Sequence, residues 1–143
     1  MVAEPFIKDL KVFIDDRGVL EQIFNLDLPF ELKRIYIIYP RKDIKRGFHG
    51  HKIEWKAFFV IKGCVKFIII EIDNEKNKKT FVLDEKKPQL LIVPNGYYNG
   101  MMALENESII LCFSSLNLKE SLKDDIRIDP FKFGKEIWEV IDK

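Results

Sequence analysis

Turn signals recur through most of this chain at intervals of roughly eight to twelve residues, the rhythm of an all-β sandwich or barrel built from short antiparallel strands. Ile7 to Ile14 reads as a first strand, ended by Asp15-Asp16-Arg17-Gly18, and Val19 to Phe24 returns. Leu26 to Pro29 is then a loop. Lys33 to Tyr39 is rich in Ile and Tyr, and Pro40, which cannot donate to a ladder, ends it. Arg46 to His51, Trp55 to Ile61 and Cys64 to Asp73 follow, the last two joined by a Lys62-Gly63 turn. Asn74 to Lys79 is expected to be a charged, solvated hairpin tip. Thr80 to Leu83, Leu90 to Val93, Tyr97 to Leu104 and Ser108 to Ser114 complete the strands. Leu116 to Asp125 suits a short helix, and Ile126 to Lys143 an irregular tail broken by Pro130 and Gly134. The pattern predicts a sandwich or barrel, and a β-barrel of the jelly-roll kind has a mouth that can take a ligand. At 143 residues it is expected to form a single domain over residues 1–143.

Both histidines of the chain lie in one of these strands, in Arg46-Gly47-Phe48-His49-Gly50-His51-Lys52. Side chains alternate along a strand, so His49 and His51 share a face, about 6–7 Å apart along its axis. Three uses of such a pair stay open. Two imidazoles on one strand can hold a metal ion, though a usual site needs a third and a fourth ligand. They can exchange protons near neutral pH without a metal. They can also be satisfied polar residues in a barrel mouth.

Composition removes other classes. The apolar fraction is 47%, with 12 Phe, which excludes disorder. With 24 basic and 23 acidic residues the net charge is +1. No large basic field is available for nucleic acid or an anionic membrane, so neither is expected as a partner. Glu4, Lys8 and Asp9 occupy the segment a signal peptide keeps apolar, and no apolar run approaches membrane-spanning length. Cys64 and Cys112 each sit within an apolar run, as buried free thiols in a reducing compartment do. A cytoplasmic location is the expectation.

The segments Lys33-Arg34-Ile35-Tyr36, Arg46-Gly47-Phe48-His49-Gly50-His51-Lys52 and Lys62-Gly63-Cys64-Val65, with the strand ending at Ser114-Ser115, resemble the cupin family of nucleotide-sugar 3,4-ketoisomerases. These enzymes act on dTDP-4-keto-6-deoxyglucose. The resemblance implies a cupin jelly roll with a short irregular or helical tail, and an isomerase using no cofactor. It implies His49, His51 and Tyr36 as catalytic groups, and Arg46, Arg34, Lys56, Tyr98 and Asn99 as residues holding a dTDP-linked keto-deoxysugar. A deoxysugar of this type feeds surface polysaccharide, including lipopolysaccharide. A metal is not expected. Metal-binding cupins place a Glu four or five residues after the histidine pair and a further His after a Pro-x-Gly turn; here Glu54 is three residues on, and Asn99 follows Pro94-Asn95-Gly96.

Where the ketoisomerases carry Trp-His-Glu, this chain has Tyr98-Asn99-Gly100. Other features resemble the sister dTDP-4-dehydrorhamnose 3,5-epimerases: Lys56 before Gly63, Gly100, and Ile126-Arg127-Ile128-Asp129-Pro130 as the segment whose aspartate orients a histidine. Their tyrosine acid falls near Cys112, however, and they lack a counterpart of His51. Ketone migration is therefore the expected activity, with 3- or 3,5-epimerisation as one alternative and sugar-nucleotide binding without catalysis as another. Apolar residues on the first strand's edge predict a homodimer.

Overall fold

The computed structural model describes residues 3–25 and 27–143, so Leu26 of the expected loop lies outside the described residues. Among the described residues twelve strands are formed, all in antiparallel ladders. They are β1 (Phe6–Asp9), β2 (Lys11–Asp15), β3 (Gly18–Gln22), β4 (Arg34–Ile38), β5 (Lys45–His51) and β6 (Lys56–Lys62). Then come β7 (Cys64–Glu71), β8 (Asn74–Asp84), β9 (Gln89–Val93), β10 (Tyr97–Ala103), β11 (Ile109–Ser114) and, after helix α1 (Leu118–Lys123), β12 (Ile126–Arg127). One five-stranded sheet runs β1-β9-β6-β11-β4, the second runs β12-β5-β10-β7-β8, and β2 pairs only with β3. This is the expected all-β jelly roll.

Strands such as β6 and β7 read as unbroken apolar runs because both of their faces are covered. Between the sheets lie Phe58, Val60, Phe67, Ile69, Leu91, Met101 and Ile110. The outer face of the first sheet carries Ala57, Phe59, Ile92 and Phe113, packed under Ile23, Leu28, Phe30, Leu32 and Trp55. The outer face of the second carries Phe48, Ile68, Ile70, Tyr98 and Met102, and the C-terminal segment closes over it with Ile126, Ile128, Phe133 and Trp138. Gly100 makes that closure possible. A Cβ there would lie 2.6 Å from the Phe48 ring and 2.9 Å from Trp138.

Three expectations are corrected. The first strand is two: Ile7 lies in β1, which edges the first sheet, and Leu10, whose N–H bonds Pro88 O, breaks the run before β2. Asn74 to Lys79 is not a hairpin tip but the start of β8, the turn falling instead on Ile72-Asp73. β8 is a sheet edge, where exposed lysines guard against further strand pairing. The tail is less irregular than expected, since Ile126 and Arg127 form β12 beside β5.

Candidate active site

Strand β5 sits between β10 and β12, with His49 opposite Asn99 on one side and Arg127 on the other. Phe48 and Gly50 face outward, Gly50 lying under Tyr98, whose ring a Cβ at residue 50 would meet at 2.6 Å. His49 and His51 consequently share the inner face, as their spacing predicts. Between the two sheets that face opens on a cavity of about 170 Å³, walled by Tyr36 and Ile38 from β4, Arg46 and His49 from β5, Lys56 and Phe58 from β6, and Asn99 and Met101 from β10.

Strand alternation alone would put Arg46, three residues before His49, on the opposite face. It reaches the cavity because the β5–β10 register shifts: Asn99 pairs with His49 and Met101 with Arg46, so β5 carries one extra residue between them. A bulge of this kind re-aims side chains.

The two imidazoles are held from the segment just after α1. A capping box between Asn117 and Glu120 starts that helix, and its end delivers Asp124 and Asp125 onto β5. His49 Nδ1 lies 3.0 Å from Asp125 Oδ1, and His51 Nδ1 lies 2.9 Å from the Asp124 carbonyl oxygen. A carbonyl only accepts, so His51 carries its proton on Nδ1 and presents Nε2 as a lone pair. Asp125 is ionised: burial works to raise its pKa, but Arg127 and His49 together hold it below the ordinary carboxylate value. His49 Nδ1–H therefore donates to it, leaving Nε2 free on the other side of the ring. The Asp124 carboxylate accepts the backbone N–H groups of Lys52, Ile53 and Glu54 and so ties down the turn that follows β5.

The two histidines differ in surroundings. The His49 side chain is partly open, whereas His51 is buried, its Nε2 without a partner and not in the cavity wall. Burial first, and then the Lys56 charge, push the His51 pKa below its ordinary value, with Glu54 and Asp124 opposing. Tyr36 is a neutral phenol, its pKa driven far up by burial and by Cys112 and Glu54. Cys112, opposite Tyr36 across the β4–β11 ladder, is fully buried, and burial pushes its thiol up to about 12.

Of the expected site residues, Tyr36, Arg46, His49, Lys56 and Asn99 meet in the cavity. Three do not. Tyr98 faces outward, in the cluster under Phe133. Neighbours on one strand point oppositely, so Asn99 and Tyr98 cannot both line the pocket. Arg34 stands behind Tyr36, its guanidinium 4.8 Å from that ring's centre, 3.5 Å from Glu54 Oε1 and bonded to Ser121 Oγ. His51 lies beneath the wall. The orienting aspartate is also displaced from expectation: it is Asp125, and Asp129 instead accepts the N–H of Phe131. The acidic doublet before Ile126 was the only local signal for it. Among the described residues no group of three or more His, Cys, Asp and Glu is placed to hold a metal ion, and no helix is long and apolar enough to cross a membrane.

The family model described as FdtA: WxcM-like, C-terminal matches residues 3–135. A TDP-4-oxo-6-deoxy-alpha-D-glucose-3,4-oxoisomerase from Aneurinibacillus thermoaerophilus is 28% identical over 109 residues, spanning 75% of this chain and 76% of that protein. A solved 3,4-ketoisomerase from Helicobacter canadensis superposes with a TM-score of 0.75 at 27% identity, over 87% of this chain and 90% of the other. The dTDP-4-dehydrorhamnose 3,5-epimerase of Bacillus anthracis shares the fold, with a TM-score of 0.77 at 20% identity over 90% of this chain and 83% of its own.

Proposed function

The chain belongs to the FdtA: WxcM-like, C-terminal family, and on that premise we propose that it is an isomerase moving the ketone of a dTDP-linked 4-keto-6-deoxyhexose from C4 to C3. The observation that carries the chemistry is the His49–Asp125 contact at the cavity wall. It leaves Nε2 free on a residue that lines the cavity. A 4-ketone acidifies the hydrogen on C3. His49 removes that proton and O4 gains one to give an enediol; a proton returned at C4, with loss of the proton on O3, then completes the shift. Tyr36, neutral and adjacent, donates to the enediol oxygens, while Arg46 and Lys56 stabilise the negative charge that develops on them. Asn99 offers an amide to the sugar from the opposite strand.

The test is proton NMR of dTDP-4-keto-6-deoxyglucose with the protein in heavy water. The expected product is a 3-keto sugar with deuterium at C4 and the original hydrogen at C5. Deuterium at C5 with the carbonyl still at C4 would make the protein an epimerase. The absence of any exchange would leave a binding protein.

We also propose a homodimer in a reducing, cytoplasmic setting, where the product supplies deoxysugars for surface polysaccharide such as lipopolysaccharide. Buried free Cys64 and Cys112 support that compartment. The apolar surface lies on the β2 part of the expected first strand with its partner β3, and on the outer face of edge strand β4. Phe13, Ile14, Val19 and Leu20 are exposed on the hairpin, and Ile35, Ile37 and Tyr39 along β4. A second copy would cover these faces. Light scattering should give twice the chain mass, and Ile14→Lys with Leu20→Lys should give a monomer; a native monomer at all concentrations rejects the dimer.

A further inference from the structure

Behind the cavity wall lies a cluster that the proposed chemistry leaves unused. Glu54 is 1% exposed, and among the described residues neither of its carboxylate oxygens has a hydrogen-bond partner. Three groups surround it: Lys56 Nζ at 3.4 Å, Arg34 Nη2 at 3.5 Å and His51 Nδ1 at 3.8 Å. Arg34 Nε and His51 Nε2 are also buried without partners. A buried carboxylate is costly unless paired with cations, and here two cations converge on it from different strands.

We infer that Glu54 is the positioning residue of this site, setting where Lys56 and Arg34 stand against Tyr36. The inference rests on the proposed ketone migration for its kinetic consequence, but not for its structural one. Both cations lie over the same ring, at 4.8 Å for Arg34 and 5.8 Å for Lys56. Without an anion between them they would repel one another across a partly dry space. Lys56, which forms part of the cavity wall, would swing out of place for an enediolate. Because Glu54 holds it by charge at 3.4 Å and not by a short hydrogen bond, the ammonium keeps its donors for the substrate.

His51 feels the same carboxylate. From β6 it faces Lys56, from the turn Glu54, from the segment after α1 the carboxylate and carbonyl of Asp124, and from β10 Tyr97, whose phenol is engaged with the Ala3 carbonyl. The Asp124 carboxylate already takes three backbone N–H groups. Glu54 is thus the anion left to offset Lys56 at the imidazole. Neutralising it should make His51 harder to protonate.

Glu54→Gln keeps the side-chain volume and removes the charge; Glu54→Asp keeps the charge. The chain's two imidazoles can be followed separately by long-range proton–nitrogen NMR, assigned with His49→Asn. For Glu54→Gln we expect kcat to fall by about 10–100-fold, the scale of a misplaced charge-stabilising group, with KM within about twofold. The proton uptake of His51 should move to lower pH, because the anion that opposes Lys56 at the imidazole is gone. Glu54→Asp should return the His51 titration toward native. Native kcat together with native His51 titration in folded Glu54→Gln overturns the inference. If Glu54→Gln does not fold, Glu54→Asp decides alone: lowered kcat with native His51 titration supports the assignment, and native kcat overturns it. Should the wild-type protein show no ketone migration, the His51 titration still tests Glu54 without reference to the reaction.

Discussion

His49→Asn is expected to lower turnover by about 10²–10⁴-fold, the usual range for losing a positioned acid/base group, with the fold retained. The partly open side chain contributes little to packing, and the β5 backbone is held by ladders on both sides. Asparagine preserves a donor toward Asp125 and removes only the titrating lone pair. Substrate binding should weaken less than turnover, since Arg46, Lys56 and Asn99 remain in the cavity. His51→Asn should cost stability, because its ring is buried against the Asp124 carbonyl, and should lower turnover by loosening the segment that carries Asp125. The measurements are initial rates by NMR and circular dichroism on each variant. Normal turnover in both would make the histidines structural and end the proton-transfer reading.

Phe48→Ala should destabilise the protein by about 3–5 kcal/mol, the cost of a buried aromatic truncation with its cavity. Phe48 is 0% exposed, its ring centre 5.4 Å from that of Phe133 and 5.3 Å from that of Trp138. Its backbone exchanges two hydrogen bonds with Ile128, at 3.0 Å each. The residue therefore holds the C-terminal segment onto the outer face of β5, and that segment begins one residue after Asp125. Turnover should fall as well, because loosening the segment frees the carboxylate that orients His49. Denaturant unfolding of both proteins measures the first effect, and a loss under about 1 kcal/mol would mean that the tail does not depend on this ring.

Much of the architecture was legible in the residues themselves. Turn chemistry and β-branched runs located most strands, because both act over a few neighbouring residues. The shared face of His49 and His51 follows from alternation alone, and so, applied strictly, does the outward position of Tyr98 beside inward Asn99. Other features depended on partners distant in sequence. Asn74 to Lys79 is strongly charged, yet it is a strand because β7 offers it a ladder. Arg46 reaches the cavity through a register shift against β10 that no local pattern in β5 announces. Asp125 and not Asp129 meets His49, since the end of α1 and the pairing of β12 with β5 determine which carboxylate arrives there. Glu54 reads in the chain as one more acid near a turn; its burial between Arg34, His51 and Lys56 exists only once β4, β5 and β6 are packed. Periodicity is a property of consecutive residues and survives in the sequence. A charge's environment is the sum of what the fold brings near it, and only the assembled sheets determine that sum.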